Sequence, residues 1–126
     1  MGYKLLKPAR RQGGRATETF GITRRHITLN ELMIAKLGLR PGDGLVLFES
    51  EDGFLTLAVG KPGDANARGL RTARRDKNRP FGSCTLSCYC PGVTRRCRRG
   101  RYRITGRDGG FFTTDCRLAP AEEETV

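Results

Sequence analysis

The cysteines are the residues in this chain whose type and spacing could do chemistry. All five lie in the second half, with the spacing C-x3-C-x-C-x6-C-x18-C: Cys84, Cys88, Cys90, Cys97 and Cys116. Thiolates this close in sequence can meet at one tetrahedral zinc ion, because short loops cost little to close. We therefore expect Cys84, Cys88, Cys90 and Cys97 to bind zinc, with Cys116 as the reserve ligand. Reduced thiols and a disulfide are the alternatives that the spacing leaves open.

Arginine is the second informative residue type. The chain contains 24 Lys and Arg residues against 13 Asp and Glu, a formal net charge of +11. Residues 61–117 carry most of the excess, with 15 basic and 4 acidic residues. This balance favours polyanionic partners, double-stranded DNA first and RNA as the alternative. We expect the contacts to come from residues spread along the chain: Arg10, Arg11, Arg15, Arg24, Arg25, His26, Arg71, Arg74, Arg75, Arg95, Arg96, Arg98, Arg99, Arg101 and Arg103.

Catalytic groups are hard to find in this sequence. His26 is the single histidine, and its place in a predicted strand favours a structural or phosphate-contacting role. No phosphate-binding glycine motif of the P-loop or dinucleotide type occurs. The carboxylates mostly fall in turns, where no apolar surroundings would separate the pKa values of a pair for acid–base work. We predict that the protein is not an enzyme.

The hydropathy pattern bears on the cell compartment. No apolar run approaches the roughly 18–20 residues that a membrane-spanning helix needs. The basic N-terminus lacks the hydrophobic stretch of a secretory signal. We therefore expect a cytoplasmic protein, and in that compartment clustered cysteines are more often metal ligands than disulfide partners.

The clearest secondary-structure signal is a short helix that follows a strand at residues 27–29. Thr28 and Glu31 have the spacing of a helix capping box, and Asn30 is a competing N-cap. An apolar stripe with helical spacing follows. Gly38 then stands where a left-handed C-cap is needed.

Two β-hairpins are predicted beyond this helix. A turn at residues 40–43 leads into strand-like runs at 45–48 and 54–59, which an Asp-Gly pair joins. A second hairpin is expected over residues 100–114, with its turn at another Asp-Gly pair. The two hairpins are faintly similar, which raises the idea of an internal duplication.

The order of these features resembles the AbrB-type swapped-hairpin family, which includes the MazE-type antitoxins. The resemblance covers roughly residues 15–60 and is most specific in the run Leu-Gly-Leu-Arg-Pro-Gly-Asp at residues 37–43. Asn30 replaces the proline usual at the helix start, and residues 24–26 replace a usual glycine. The resemblance implies a mainly β fold with one short helix, in which two chains interleave their strands in one barrel. It also implies that basic loops face DNA.

Composition and resemblance together divide the chain into five segments. They are a basic N-terminal arm (1–14), a swapped-hairpin barrel half (15–60), a basic linker (61–80), a small cysteine-containing hairpin segment (81–118) and an acidic tail (119–126). A segment of about 45 residues buries too small a core by itself, so we expect an intertwined homodimer. The alternative is that residues 61–117 complete the core within one chain.

These features favour a dimeric DNA-binding transcription regulator. One alternative is an antitoxin-type protein-interaction module of the same fold, although the basic second half differs from the acidic or amphipathic extension that such a protein usually carries. The other is RNA binding or antitermination through the arginine-rich second half. Stacking on RNA bases would use exposed aromatic residues, for which the candidates are Tyr89, Tyr102, Phe111 and Phe112.

Overall fold

The computed structural model of the protein describes residues 2–3, 18–73 and 76–120. Five predicted nucleic-acid contacts lie outside the described residues: Arg10, Arg11, Arg15, Arg74 and Arg75. Most of the predicted N-terminal arm and residues 121–126 of the predicted tail also lie outside them. The described ranges form eight strands and two α-helices: β1 (Thr19–Ile22), β2 (His26–Leu29), α1 (Glu31–Leu37), β3 (Gly44–Glu49), β4 (Phe54–Gly60), β5 (Arg68–Thr72), β6 (Leu86–Tyr89), α2 (Pro91–Thr94), β7 (Gly100–Asp108) and β8 (Phe111–Arg117).

The eight strands form one closed barrel, in the order β1-β2-β6-β5-β3-β4-β8-β7. Every pair of neighbouring strands is antiparallel. Closure pairs both sides of every strand, so the sheet has no free edge. The prediction of a mainly β fold with one short helix is confirmed, and α2 adds a single further helical turn.

The strand pairs of the two halves of the chain correspond. Strands β1 to β4 of the first half correspond to strands β5 to β8 of the second half. The pair β1–β2 corresponds to β5–β6, the pair β3–β4 to β7–β8, and the pair β1–β7 to β5–β3. The pairs β2–β6 and β4–β8 map onto themselves. Each half also places its helix between its second and third strands. Residues 19–60 and 68–117 are thus related by an approximate twofold symmetry of connectivity.

The second half of the chain closes the barrel, which changes the expected division into segments. Residues 61–80, predicted to be a linker, contain β5, which pairs with both β3 and β6. Residues 81–118, predicted to be a separate hairpin segment, supply β6, β7 and β8 to the same barrel. All eight strands come from one chain, as in the alternative in which residues 61–117 complete the core. Association of two chains stays a prediction.

Local signals explain how α1 and the turn after it are set. The competing N-cap, Asn30, takes the place of the predicted capping box, because its side-chain oxygen accepts a hydrogen bond from the Met33 N–H at 2.9 Å. Gly38 ends the helix in the left-handed conformation, with φ 69°. In the next turn, the Asp43 carboxylate accepts a hydrogen bond from the Arg40 N–H at 2.9 Å. These contacts fix the direction in which β3 enters the barrel.

The core fills the inside of the barrel and draws on both halves of the chain. Its fully buried large side chains are Phe20, Ile27, Leu29, Met33, Leu45, Leu55, Leu57, Leu86, Cys88, Cys90 and Cys116. Burial of each large aliphatic or aromatic side chain stabilises the fold by about 1.5–3 kcal/mol. Because each half supplies only part of this set, neither half encloses the core alone.

Candidate nucleic-acid interface and thiol cluster

The outer surface of five neighbouring strands is basic and otherwise uncharged. It spans β5, β6, β2, β1 and the first part of β7, and we call it the basic face. One row of outward residues crosses it in register: Arg71, Ser87, Thr28, Gly21 and Arg101. Strands β1, β2, β5 and β6 contain no acidic residue.

This row has an arginine at each end and small residues between them. Four strand spacings separate Arg71 from Arg101, at most about 19 Å. A Cβ at Gly21 would lie 2.5 Å from the Thr28 hydroxyl, so only glycine fits there. The absence of a side chain at Gly21 means that nothing projects from the sheet at this position. Arg71 and Arg101 are exposed, as is Arg103 two residues along β7. A polyanion can therefore approach the row closely and meet a guanidinium group on either side.

The turn between β1 and β2 presents two arginines at one end of the basic face. The Thr23 N–H donates to the His26 carbonyl at 2.9 Å, which leaves Arg24 and Arg25 at the tip of the turn. The Thr94 hydroxyl of α2 donates to the Arg24 carbonyl at 2.8 Å. Because these contacts use the backbone of the turn, they fix its position while both arginine side chains stay exposed.

The connection between β5 and β6 is the counterpart of this turn in the other half of the chain. Asp76 anchors its described part: the carboxylate accepts a hydrogen bond from the Thr85 N–H at 2.9 Å and lies 3.8 Å from the Arg79 guanidinium. Lys77 is exposed beside them. The two loops are attached at opposite ends of β6, and five residue steps of extended chain place these attachment points about 17 Å apart.

An exposed aromatic side chain lies on the basic face. Tyr89 is 58% exposed and is the cross-strand partner of His26, with the ring centroids 5.4 Å apart in an edge-to-face arrangement. The other aromatic candidates lie elsewhere. Phe112 and Tyr102 pack in or against the core, and Phe111 lies on the outside of β8, away from the basic face.

The predicted arginines at residues 95–103 form two groups, those that line a mixed-charge cleft and those that do not. The Arg96 guanidinium lies 2.7 Å from Glu49 and donates to the Ala119 carbonyl, also at 2.7 Å. Arg96 and Arg98 line a cleft of about 780 Å³ that also contains carboxylates: Glu49, Glu51, Asp52 and Asp115. These carboxylates repel a polyanion, so the two arginines are poorer phosphate ligands than the remaining ones. The remaining ones are exposed: Arg95, Arg99, Arg101 and Arg103. Arg103 borders the cleft, since its backbone N–H donates to the Asp115 carboxylate at 2.8 Å.

Four of the five cysteines lie near one another at the α2 end of the barrel, and we call them the thiol cluster. Cys88 points inward from β6, Cys90 is the N-cap of α2, Cys97 follows α2, and Cys116 points inward from β8. The Cys88 and Cys90 side chains interact with each other, as do those of Cys97 and Cys116. The Cys90 thiol donates to the Cys88 carbonyl and the Cys97 thiol to the Val93 carbonyl, each at 3.4 Å. Cys84 stands apart, four residues of extended chain or about 13 Å before Cys88. Its thiol donates to a carbonyl in the preceding turn at 2.9 Å.

Hydrogen bonding sets the pKa values in the two thiol pairs. The hydrogen bond with Cys90, followed by burial, raises the pKa of Cys88 far above its ordinary value, and the same bond lowers the pKa of Cys90. In the second pair, the hydrogen bond raises the pKa of Cys116 and lowers that of Cys97. Within residues 2–3, 18–73 and 76–120, no three His, Cys, Asp or Glu side chains already form a metal-binding group.

The structure thus changes which cysteines belong together. The expected zinc ligands included Cys84, with Cys116 in reserve, but Cys116 lies in the thiol cluster and Cys84 does not. Sequence spacing could not show this, because Cys116 reaches the cluster only through the β7–β8 hairpin. The polar middle of the basic face was also missed. Its signal was the alternation in His26–Leu29 and Leu86–Tyr89, where every second residue is apolar and buried.

Comparisons of the chain with protein-family models, with curated proteins and with solved structures find no match. The interpretation of the site therefore rests on its own residues. Across the part of the chain that the structure describes, no helix has the length and apolar character needed to pass through a membrane.

Proposed function

We propose that this protein binds double-stranded DNA through the basic face and acts as a transcription regulator. The observation that carries the proposal is the placement of two basic loops at the two ends of a strand surface that has no carboxylate. Guanidinium and ammonium groups attract phosphates, and such contacts supply most of the non-specific affinity for DNA. Along β2 and β6, a phosphate backbone meets no carboxylate that would repel it.

The dimensions of the basic face suit a duplex. The loop attachment points are about 17 Å apart, and the major groove is about 12 Å wide. One loop can therefore contact each of the two phosphate backbones that border a groove. Arg24 and Arg25, at the tip of the β1–β2 turn, are the side chains best placed to enter the groove, where arginine pairs with guanine edges.

The connectivity supports the same proposal. The swapped-hairpin resemblance implies two copies of a strand–strand–helix–strand–strand unit, each with one basic loop. This chain contains that order twice, over residues 19–60 and 68–117. We infer that one chain supplies both halves of a DNA-binding unit, so that the homodimer we predict would present two such units.

RNA binding is the second candidate, and Tyr89 is the observation that favours it. An exposed aromatic ring flanked by basic loops is the arrangement on which unpaired bases stack. Duplex DNA keeps its bases stacked within the helix and has less use for such a ring. Tyr89→Ala is therefore expected to weaken binding of single-stranded or looped RNA while leaving duplex binding largely unchanged.

Fluorescence anisotropy with a labelled DNA duplex tests the proposal. The described cations at the basic face number six: Arg24, Arg25, Arg71, Lys77, Arg101 and Arg103. If each contacts one phosphate, affinity should fall about 10³-fold between about 50 and 200 mM salt. A flat salt response would contradict the mechanism. Unlabelled duplex should displace the probe better than an RNA hairpin does, and the reverse order would favour the RNA function.

A further inference from the structure

The thiol cluster is a group that DNA binding does not use. Its four sulfur atoms come from β6, from the two ends of the α2 segment and from β8. The fold brings them together, since Cys116 follows Cys97 by eighteen intervening residues. Each of the four is buried or half-buried, which keeps bulk water away from the sulfur atoms.

We propose that Cys88, Cys90, Cys97 and Cys116 bind one zinc ion as a tetrathiolate site, and that Cys84 takes no part. Zinc in structural sites is tetrahedral and commonly takes four thiolates at about 2.3 Å. Binding leaves the oxidation state of metal and sulfur unchanged and releases the four thiol protons to solvent.

No three of these described thiols converge on one point yet, so zinc binding requires the side chains to reorient. The thiols already lie in two interacting pairs, and Cys90 lies near Cys97, since the two stand at the two ends of the α2 segment. The Ala119 N–H donates to the Arg96 carbonyl at 2.8 Å, which ties the chain after β8 to the α2 segment. Zinc would draw the Cys88–Cys90 pair and the Cys97–Cys116 pair onto one centre. Half-buried Cys97 marks the side from which the ion can enter.

Nearby arginines suit a thiolate centre. The Arg68 guanidinium lies near Cys88 and Cys90, and the Arg96 guanidinium lies near Cys97. Four thiolates around Zn²⁺ leave two net negative charges, which these guanidinium groups offset. Within the described residues, Cys84 has neither a thiol partner nor such a guanidinium group, and its thiol donates to the Phe81 carbonyl.

The site would also hold the DNA-facing turn in place. The Thr94 hydroxyl of α2 donates to the Arg24 carbonyl, and the Cys90 N–H donates to the Arg25 carbonyl at 2.9 Å. A metal ion that fixes both ends of the α2 segment therefore fixes the support of this turn. The zinc proposal itself does not depend on DNA binding.

Metal analysis of the full chain, purified without chelators, tests the proposal. We expect one zinc per chain in the wild type and in Cys84→Ser, which is the matched control because Cys84 is also buried. We expect loss of that zinc in Cys116→Ser and in Cys97→Ser. Cys97 is only half-buried, so this variant should keep the far-UV circular dichroism of the barrel. Cobalt added to the zinc-free wild type should give the thiolate charge-transfer bands of tetrahedral Co²⁺.

Three results would overturn the proposal. Retention of zinc in Cys116→Ser with loss in Cys84→Ser would restore the ligand set that the spacing suggests. A wild type with five titratable thiols and no zinc would show that the thiols are core side chains. A Cys97–Cys116 disulfide would show a redox pair. Should both cluster variants unfold, absence of the thiolate–cobalt bands in the wild type would still refute the site.

Discussion

Replacing Arg24 and Arg25 together by alanine tests the basic face at the tip of the β1–β2 turn. The turn is held through backbone atoms, so the double variant should keep its fold. If each arginine contacts one phosphate, the slope of log affinity against log salt should fall in magnitude by about 1.8. Near 0.15 M salt the same two contacts correspond to about 30-fold in affinity, or about 2 kcal/mol.

A charge-matched control separates position from net charge. Arg40→Ala with Arg117→Ala removes the same two charges from outside the basic face. Arg40 lies in the turn after α1, and Arg117 ends β8, with its guanidinium 5.7 Å from the ring centroid of Phe54 on β4. We expect the control pair to change the affinity by only about two-fold, because charges beyond a Debye length of about 8 Å are largely screened. Equal losses in the two double variants, measured by anisotropy, would refute the assignment of the basic face.

Three further predictions concern the fold and are measured by chemical or thermal unfolding or, for the last, by circular dichroism. Gly44→Ala should destabilise the protein by about 2 kcal/mol or more, because the new Cβ would lie 2.3 Å from the Arg68 carbonyl oxygen. Gly69→Ala, at the paired position where a Cβ meets nothing within 4 Å, should cost about 1 kcal/mol or less; equal losses would contradict the close approach. Asn30→Ala should cost about 1 kcal/mol and Asn30→Asp much less, and equal losses would mean that the side-chain cap contributes nothing. The far-UV circular dichroism should not change on dilution to concentrations at which the protein is a monomer, because one chain closes the barrel; loss of the fold on dilution would mean that chains share strands.

Much of the fold could be predicted from short-range signals. The cap at Gly38, the turn at residues 40–43 and the Asp-Gly turns at 52–53 and 108–109 each determine local backbone geometry. The resulting hairpins, β3–β4 and β7–β8, are present where the sequence places them. These elements were predictable because the residues that specify them are adjacent in the chain.

The position of β5 could not be predicted in this way. Its sequence, Arg68–Thr72, has one half-buried residue, Leu70, and lies in a stretch rich in glycine and charge. It is a strand because β3 and β6 provide hydrogen-bonding partners on both sides. Such long-range pairing leaves no periodic pattern in the strand itself.

The sequence predicted which types of residue form the site, but not which of these residues lie together. Arg101 and Arg103 lie on the outer side of β7, where they alternate with the half-buried Tyr102 and Ile104. The predicted set of nucleic-acid contacts included Arg96 and Arg98. The carboxylates near these two arginines come from β3, the β3–β4 turn and β8. Those neighbours are far away in sequence, so composition alone assigned the two arginines to nucleic acid.

Amide chemical shifts of the isotope-labelled protein, recorded while duplex DNA is added, test the central proposal most directly. The basic face predicts the largest shifts in the β1–β2 turn at residues 23–26 and along β6, with smaller ones at Arg71 and Arg101. The β3–β4 turn at residues 50–53 should hardly change. Shifts centred on that turn and the neighbouring cleft, with β2 and β6 unaffected, would contradict the proposal.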